Sequence, residues 1–364
     1  MLLSSLLIAL LDTTALPERQ VQVSLQTQAG FIIPHAADLR AISQSTPVGI
    51  ALEYSRTNLS RTAYERCNCF ARIGTYLSYT TFNNPAELGR TYGAGAFFEP
   101  LIRPDRRVFF SVRATAGLAW LTRVYDEQTN PRNTFFSAPL SGLLGLSATT
   151  HVRLGPHLQA SLSAQYNHIS NGGTRQPNRG MNYPTLGLGL TYVPRPLPLP
   201  EPRLWERPRL LSRQTARLML FGTVRVLPGS DALPEQSTSL LGLTGTYGYR
   251  LNRFHALSGG LEVVRDGYMR ASLQRQGAAG RGGADLWLVS ALAGYELWMG
   301  RYNFTAHVGG DLYRPNGFTA QWLFQRYQLL YTIGPTVQVG IGLKARLNVA
   351  EGFDVRVGWR WAKR

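Results

Sequence analysis

The feature that most constrains this chain is a strict alternation of apolar and polar residues, repeated in segment after segment from Val21 to Trp361. In the stretch VGIALEY (48–54), for example, every second side chain is large and apolar while most of the intervening ones are small or polar. A period of two is the period of a β-strand, in which successive side chains point to opposite faces of a sheet. The pattern therefore predicts an all-β protein.

Turn signals separate the alternating segments, and most segments run for about 10–15 residues, longer than the ~5–6 of a usual soluble strand. Such lengths suit the 9–11 residues that a tilted strand needs to cross a bilayer. We predict an antiparallel transmembrane β-barrel with about eight strands in the first half and a further 6–8 in the second, as one wide barrel or two β units. A soluble sandwich would show the same alternation with reversed burial. The segments are Val21–Pro34, Pro47–Arg56, Phe70–Thr81, Thr91–Ile102, Arg107–Arg123, Pro139–Arg153, His157–Ser170, Pro184–Pro194, Thr215–Leu227, Ser237–Arg250, Phe254–Arg265, Asp285–Met299, Arg301–Arg314, Tyr327–Gly334, Thr336–Leu347 and Phe353–Trp361.

The lengths of the connections suggest an orientation. Those after the first, third, fifth and seventh segments are long, whereas RPDR and LGP after the fourth and sixth are short. Outer-membrane barrels have long external loops and short periplasmic turns, so we expect the odd-numbered segments to run outward. The connection after the second segment, which contains CNC, is an exception.

Four regions follow from this organisation. Residues 1–15 contain an apolar run followed by small residues that suit a cleavage site. We predict that they form a secretory signal peptide. Residues 16–194 form the first barrel unit, the proline-rich residues 195–213 a connection on the periplasmic side, and residues 214–364 a second strand-rich unit of unknown role. Beyond the N terminus no apolar run reaches the ~18 residues of a membrane-spanning helix.

The net charge of +17 comes almost entirely from arginine, since the only lysines are Lys344 and Lys363. No helix-turn-helix, zinc-finger or RNA-binding motif accompanies this charge, so we predict no nucleic-acid partner. Arginine pairs with phosphate in a bidentate manner, which suits a surface covered with lipopolysaccharide. Glu53, Arg72 and Arg113 fall on the polar face of their segments, where we expect them to lie in the barrel lumen and pair.

The two cysteines, Cys67 and Cys69, are compatible with a local disulfide in an oxidising compartment or with free thiols. Two ligands do not close a zinc site, and H-E-x-x-H is absent from the sequence, so no metal site is predicted. We assign the cysteines no function.

The candidate site lies in QYNHISNGGTRQPNRGMNY (165–183), where the seventh segment meets a long loop. His168 and Ser170 continue the apolar face of the segment, so their side chains are neighbours on the lipid-facing wall. Away from water, an imidazole and a hydroxyl should hydrogen-bond to each other, as a catalytic base and nucleophile do.

A third group must orient the histidine. Asn182 extends the outward face of the eighth segment, and antiparallel pairing is expected to bring it beside His168. The intervening loop supplies candidate donors for an oxyanion and candidate ligands for lipid phosphates. The oxyanion or substrate-binding candidates are Asn171, Gly172, Gly173, Asn178, Arg175 and Arg179.

The motif HISNGGTRQPNRG resembles the His-x-Ser-Asn segment, and the later QPN-x-G, of the lipid A 3-O-deacylase (PagL-type) family of outer-membrane barrels. The resemblance covers roughly residues 21–193. The stretches FIIPH, CNCFARIG and DEQTNPRN, and the C-terminal VGIGLKARLNVAEGFDVRVGW, are similar to longer acyloxyacyl-hydrolase relatives of Bacteroidetes-type bacteria.

The resemblance implies that Ser170 is the nucleophile, His168 the base and Asn178 an oxyanion donor. The third member in that family is a glutamate fourteen residues after the histidine, and Asn182 occupies that position here. A Ser-His-Asn set is similar instead to that of outer-membrane phospholipase A, so Asn182 remains compatible with catalysis.

The leading hypothesis is therefore an outer-membrane serine ester hydrolase that removes an acyl chain from lipid A and needs no cofactor. The expected partner is lipopolysaccharide in the outer leaflet, the protein is expected to be embedded in the bacterial outer membrane, and a homodimer is compatible with the pattern. One alternative is a phospholipase with the same geometry, which would need calcium. Another is a catalytically silent porin or scaffold barrel.

Overall fold

The computed structural model describes residues 19–35, 37–172, 175–201, 213–227, 229, 233–277, 286–315, 321–346 and 349–362. These residues form two closed antiparallel barrels of eight strands each, which answers the choice between one wide barrel and two β units. The predicted signal peptide (1–15) and residues 202–212 of the proline-rich connection lie outside the described residues.

The strands of each barrel follow one another in chain order, and hydrogen bonds between the first and last strands close each ring. The first barrel contains β1 (Arg19–Gly30), β2 (Val48–Asn58), β3 (Phe70–Thr81), β4 (Arg90–Ile102), β5 (Val108–Leu121), β6 (Leu140–Arg153), β7 (Leu158–Ser170) and β8 (Met181–Tyr192). The second contains β9 (Gln214–Leu227), β10 (Gln236–Arg250), β11 (His255–Asp266), β12 (Trp287–Met299), β13 (Tyr302–Tyr313), β14 (Leu323–Ile333), β15 (Val337–Arg346) and β16 (Val349–Ala362).

The outward faces of both barrels are apolar and the inward faces polar. In β7, Leu162 is 56% exposed, whereas its neighbours Ser161 and Ser163 are buried inside the barrel. Leu186 and Leu188 of β8 are exposed on the outside as well. Apolar residues outside and polar residues inside are the arrangement of a transmembrane barrel and the reverse of a soluble sandwich.

Ion pairs fill the middle of the first barrel. Arg113 donates to both oxygens of Glu53, at 2.5 and 3.0 Å, and to Glu99 Oε2 at 2.9 Å. Arg72 lies 3.7 Å from Glu99, so its carboxylate partner is Glu99 rather than Glu53. These charges are buried, and pairing offsets the cost of removing them from water.

We use "loop end" for the end of each barrel that carries the long connections, such as 122–139 and 171–180, and "turn end" for the opposite end. At the turn end of the first barrel, Phe70 and Phe109 pack with Leu59, Leu101 and two leucines of the connection that follows β8. At the loop end a larger apolar cluster includes Phe82, Phe135 and Phe136. Apolar packing therefore fills this lumen at both ends.

A short helix, α1 (Arg61–Cys67), occupies the connection after β2 at the turn end. The Ser60 side chain caps it by accepting a hydrogen bond from Ala63 N at 3.2 Å. Cys67 and Cys69 form a disulfide, which is one of the two states that the sequence allowed.

The second barrel approaches the first at this helix. Arg301 N, at the β12–β13 turn, donates to Arg66 O of α1 at 2.7 Å. Beside this contact, Phe98 on the outer face of β4 stacks on Tyr302 of β13, with 5.0 Å between ring centroids. The turn ends of the two barrels therefore lie side by side.

A second helix, α2 (Gly267–Arg275), follows β11 at the loop end of the second barrel. Asp266 caps its N terminus by accepting from Tyr268 N and Met269 N. Met269 and Leu273 pack against the inward-facing Phe221, Val264 and Leu288, so the helix fills the mouth of that barrel. No helix among the described residues is long and apolar enough to span a bilayer.

Candidate active site

Strand parity brings the candidate residues to one outer wall of the first barrel. On β7 the even-numbered side chains face outward, and His168 and Ser170 continue that face as half-buried residues at the loop end. The register pairs His168 with Leu144 on β6 and with Asn182 on β8. Asn182 lies within β8, because this strand begins at Met181 rather than near Pro184 as the alternation predicted.

His168 and Asn182 form a direct side-chain hydrogen bond. His168 Nδ1 lies 2.7 Å from Asn182 Oδ1. Because an amide oxygen only accepts, this contact places a proton on Nδ1 and leaves the lone pair of Nε2 free. The imidazole is therefore held in the tautomer that a general base requires.

The Ser170 hydroxyl is held by the loop that follows it. Its Oγ accepts hydrogen bonds from Asn178 Nδ2 at 2.9 Å and from Gly172 N at 3.1 Å. In the described part of the chain it makes no direct hydrogen bond to His168, contrary to the expected pairing, and both of its acceptor sites are used by the loop. The hydroxyl proton is the one group that Ser170 still has to offer.

Asn171 braces the loop from within. It is 7% exposed, and its Nδ2 donates to Arg175 O at 2.8 Å and to Ser137 Oγ at 3.3 Å. Its backbone N–H donates to Asn178 Oδ1 at 3.2 Å, which orients the Asn178 amide so that Nδ2 faces Ser170. Asn171 was predicted as an oxyanion donor, but these contacts commit its side chain to the loop. The candidate Gly173 lies outside the described residues.

The two candidate phosphate ligands differ in their surroundings. Arg175 is exposed, and within the described chain it forms no ion pair. Arg179 Nη2 lies 3.3 Å from Asp38 Oδ2, and both side chains are about half exposed. Such an exposed pair is worth at most about 1 kcal/mol, so Arg179 can exchange its carboxylate for another anion.

Arg179 also joins three connections at the loop end through its backbone. Its N–H donates to Thr134 O at 3.1 Å, and its carbonyl oxygen lies 3.0 Å from His35 Nε2. Thr134 Oγ1 in turn donates to Asp38 at 3.3 Å. The connections after β1, β5 and β7 therefore meet beside the candidate site.

The connection after β5 keeps its shape through internal hydrogen bonds. Asp126 Oδ1 accepts from Thr129 N and Thr129 Oγ1, both at 2.8 Å, and from Gln128 N at 3.1 Å. These bonds hold the pKa of Asp126 below its usual range, with the Thr129 backbone bond as the main cause. Asn133 further ties this connection to Glu87 O at 2.9 Å. A rigid connection gives residues 134–137 fixed positions against the site.

Gly180 contacts the histidine directly, although the sequence did not single it out. Its φ is +69°, and a Cβ at this position would lie 2.9 Å from His168 Cε1. Its N–H donates to Phe135 O at 3.0 Å. Its signal in the sequence was the final glycine of QPNRG, which matches the QPN-x-G of the resemblance. Glycine adopts a positive φ without the steric cost that other residues incur.

The site rests on a packed apolar layer. Ile169 and Met181 are fully buried and Tyr183 is 2% exposed, on the inward faces of the same two strands. The described residues contain no cluster of three or more His, Cys, Asp or Glu side chains suited to a metal ion.

Closed antiparallel barrels with apolar outer faces define a membrane-spanning β-barrel, and an oriented imidazole beside a held hydroxyl on its outer wall provides the groups of an ester hydrolase. The family model described as lipid A 3-O-deacylase (PagL) matches residues 63–191. The model described as the acyloxyacyl hydrolase C-terminal domain matches residues 215–364. The chain belongs to the family of lipid A 3-O-deacylases and acyloxyacyl hydrolases that these two models describe. It is an ester hydrolase of the bacterial outer membrane.

Several solved structures are similar to parts of the chain. The outer membrane enzyme PagL is 14% identical, with 46% of this chain and 97% of that chain covered and a TM-score of 0.33. Neisserial surface protein A is 12% identical, with coverages of 48% and 96% and a TM-score of 0.33. A porin of Rh. blastica is 7% identical, with coverages of 94% and 100% and a TM-score of 0.19. No curated protein matches the chain in sequence.

Proposed function

We propose that this outer-membrane lipid A deacylase cuts an ester-linked acyl chain of the 3-O type, with Ser170 as nucleophile and His168 as base. The observation that carries the proposal is the 2.7 Å hydrogen bond between His168 Nδ1 and Asn182 Oδ1 on the lipid-facing wall, one pleat from a serine. It fixes the tautomer that a base requires near the loop end of this wall, where we expect the ester bonds of outer-leaflet lipids to lie.

The reaction begins when His168 Nε2 takes the proton of Ser170 Oγ as Oγ bonds to the ester carbonyl carbon. Asn178 Nδ2 and Gly172 N donate to Ser170 Oγ at 2.9 and 3.1 Å, so both lie within a short shift of the oxyanion that forms beside it. Loss of one such donor typically costs about 10²–10³ in rate.

The tetrahedral intermediate collapses by breaking the bond to the sugar oxygen, which leaves as an alcohol after receiving the proton from His168. Water then attacks the acyl-serine with His168 again as base, and releases the fatty acid. Asn182 orients the imidazole throughout, although a neutral amide stabilises the imidazolium less than a carboxylate would. Arg175 and Arg179 extend beside the site and supply cations for the lipid A phosphates.

The test uses purified full-length protein in detergent micelles with lipid A, and mass spectrometry of the lipid products. We expect loss of one 3-O-acyl group with wild type and none with Ser170→Ala. A matched control is Ser163→Ala, on the same strand but inside the barrel, which should retain activity. Equal hydrolysis by wild type and Ser170→Ala would instead support a catalytically silent porin or scaffold barrel.

Asn182 in place of a glutamate favours one second candidate, a phospholipase of the Ser-His-Asn type that needs calcium. The same protein is given phospholipid in place of lipid A, with calcium or with a chelator. Calcium-dependent formation of lysophospholipid, without loss of acyl groups from lipid A, would favour this reaction over the proposed one.

A further inference from the structure

Three arginines surround one tryptophan at the turn end of the second barrel. Arg250 ends β10, and Arg217 and Arg360 are register partners on β9 and β16. Their guanidinium carbons lie 4.0, 5.8 and 5.5 Å respectively from the ring centroid of Trp298, which is 1% exposed. All three therefore converge on the same part of the lumen.

Among the described residues, one carboxylate pairs with this cluster. Glu296 pairs with Arg217 Nη2, and it also accepts from Trp298 Nε1 at 2.9 Å and Asn303 Nδ2 at 3.1 Å. Arg217 Nη1 donates to Asn303 Oδ1 at 2.7 Å. Arg217 is thus neutralised by Glu296, and among the described contacts this carboxylate pairs with neither of the other two arginines.

Arg250 and Arg360 lack any carboxylate partner within the described ranges. Arg360 Nη2 donates to Pro335 O at 3.0 Å, while the buried Nε atoms of both arginines have no acceptor. Stacking on the indole stabilises a guanidinium face but accepts none of its N–H groups. Arg250 and Arg360 are therefore two half-buried cations with unused N–H donors, and they lie beside the same Trp298 ring.

The other inward-facing arginines of this barrel show that the arrangement is specific to the turn end. Arg326 pairs with Glu262 and Asp354, and Arg346 lies 2.7 Å from Asp311. The corresponding end of the first barrel is closed by apolar side chains instead. The barrel thus balances its charges everywhere in the described lumen except at this mouth.

We propose that Arg250 and Arg360 form an anion-binding site at the turn end of the second barrel, with Trp298 as its floor. The ligand class is a phosphate group, because planar guanidinium forks pair with phosphate oxygens through two parallel hydrogen bonds. The group comes from free phosphate compounds or from a lipid headgroup. This site is on the other barrel from the ester hydrolase site and independent of its reaction.

The test is calorimetric titration of the purified full-length protein, in micelles of an uncharged detergent, with inorganic phosphate at constant ionic strength. We expect saturable binding at one site, weakened at least about tenfold by Arg250→Gln and by Arg360→Gln. Arg253→Gln is the matched control, since Arg253 is an exposed arginine in the adjoining turn and its loss changes the net charge equally. It should bind phosphate as wild type does.

Arg250→Lys distinguishes a lost site from a misfolded barrel. It keeps the charge while removing the fork, so it should bind more weakly than wild type but better than Arg250→Gln at an unchanged melting temperature. Wild type that shows no saturable binding, or Arg253→Gln that weakens binding as much as the other variants, would overturn the proposal.

Two competition arms identify the source of the phosphate. Glycerol phosphate in solution should displace inorganic phosphate if the site takes soluble compounds. Phosphatidylglycerol incorporated in the micelles should displace it at a low mole fraction if the site takes lipid headgroups. Phosphatidylcholine, which is zwitterionic and has no net charge, serves as the lipid control. Displacement by neither compound would restrict the site to inorganic phosphate and overturn its assignment to phosphate esters and lipid headgroups.

Discussion

The contacts of the Ser170 hydroxyl bear directly on the proposed first step of the reaction. Its oxygen accepts from Asn178 Nδ2 and Gly172 N, so its remaining hydrogen-bonding capacity is its own proton. His168 presents an unprotonated Nε2 on the same face of β7, because Asn182 occupies Nδ1. Catalytic hydrogen bonds are often long in the absence of substrate and shorten in the complex. Substrate that draws the two donors toward its oxyanion would release Oγ toward the imidazole.

Substitution of Asn182 tests this orientation at a single atom. Asn182→Leu removes the acceptor for Nδ1–H and should lower kcat by at least about 10², the low end of what a positioned base contributes. Asn182→Asp keeps an acceptor oxygen on a side chain of the same length and should retain most of the activity. Deacylation rates of the two variants, measured on lipid A with wild type alongside, check the prediction. Wild-type activity in Asn182→Leu would exclude a role for this bond.

Gly180→Ala should reduce activity through the histidine rather than through the fold. A Cβ at this position would lie 2.9 Å from His168 Cε1 and 3.5 Å from Nε2, so the ring must leave its present position beside Ser170. We expect kcat to fall by about 10² with little change in KM, since a displacement of about 1 Å can cost that much. Steady-state kinetics measure both constants.

The matched control for Gly180→Ala is Gly277→Ala, because Gly277 has a similar φ of +67° and its Cβ would meet nothing within 4 Å. Both substitutions carry the strain of a left-handed alanine, about 1 kcal/mol. Only the first crowds the histidine. If the two variants lose activity equally, backbone strain rather than contact with His168 explains the effect.

The sequence predicted the residues of the site better than their contacts. Alternation places His168, Ser170 and Asn182 on one face, because side chains of a paired strand have only two directions. It did not predict that Asn178 and Gly172 would hold Ser170, or that Asn171 would turn inward to Arg175 O. Those contacts depend on the conformation of an irregular loop, which has no period to analyse.

Among the elements, β7 offers the sharpest test that the barrel wall faces lipid. Leu162 lies near the middle of the strand and is 56% exposed, while Leu154, in the turn before it, is 54% exposed. Leu162→Arg should lower the free energy of unfolding from a bilayer by about 2–4 kcal/mol, whereas Leu154→Arg near the interface should cost only about 0–1 kcal/mol. Denaturant titration in lipid vesicles measures both. Equal losses would show that depth in a membrane is irrelevant to this wall.

Strands were predicted closely where alternation is continuous and less well where it is not. The predicted segment Pro139–Arg153 corresponds to β6 (Leu140–Arg153). The predicted segment Tyr327–Gly334 lacks the N-terminal residues of β14 (Leu323–Ile333). Helix α2 was missed, although Asp266 at its N-cap and the spacing of Met269 and Leu273 are helical signals. A nine-residue helix between long strands contributes too little periodicity to stand out.

At the scale of the whole molecule, the two barrels contact each other away from the candidate active site. The second barrel meets the first at α1 and the outer face of β4, and β4 is the strand halfway round the ring from β8. His168 and Ser170 lie on β7, which neighbours β8. The wall that carries the candidate site is therefore not covered by the second barrel.

The choice between one wide barrel and two small ones was beyond the reach of the sequence. Sixteen alternating segments fit one barrel of sixteen strands or two barrels of eight, because inward and outward residues alternate along each strand in a barrel of either size. The decision rests on the pairing of β1 with β8, for example Leu25 with Leu190, and of β9 with β16. Such pairs are distant in sequence and no local pattern marks them.

Gly300→Ala should loosen the contact between the barrels and leave the reaction unchanged. A Cβ on Gly300 would lie 2.0 Å from Arg66 O, the oxygen that accepts from Arg301 N, so the β12–β13 turn must move away from α1. Amide hydrogen exchange in residues 61–67 should become faster, because this helix loses its packing partner. Lipid A deacylation should stay within about twofold of wild type, since none of the proposed catalytic residues moves.

Gly334→Ala is the control for this last change. Gly334 has the same φ of +59°, lies in another turn at the same end of the second barrel and has open space where its Cβ would be. It should share the backbone strain while exchange in residues 61–67 stays at the wild-type rate. Faster exchange there in both variants would trace the effect to strain within the second barrel, and a large loss of deacylation in Gly300→Ala would show that the contact between barrels reaches the catalytic wall.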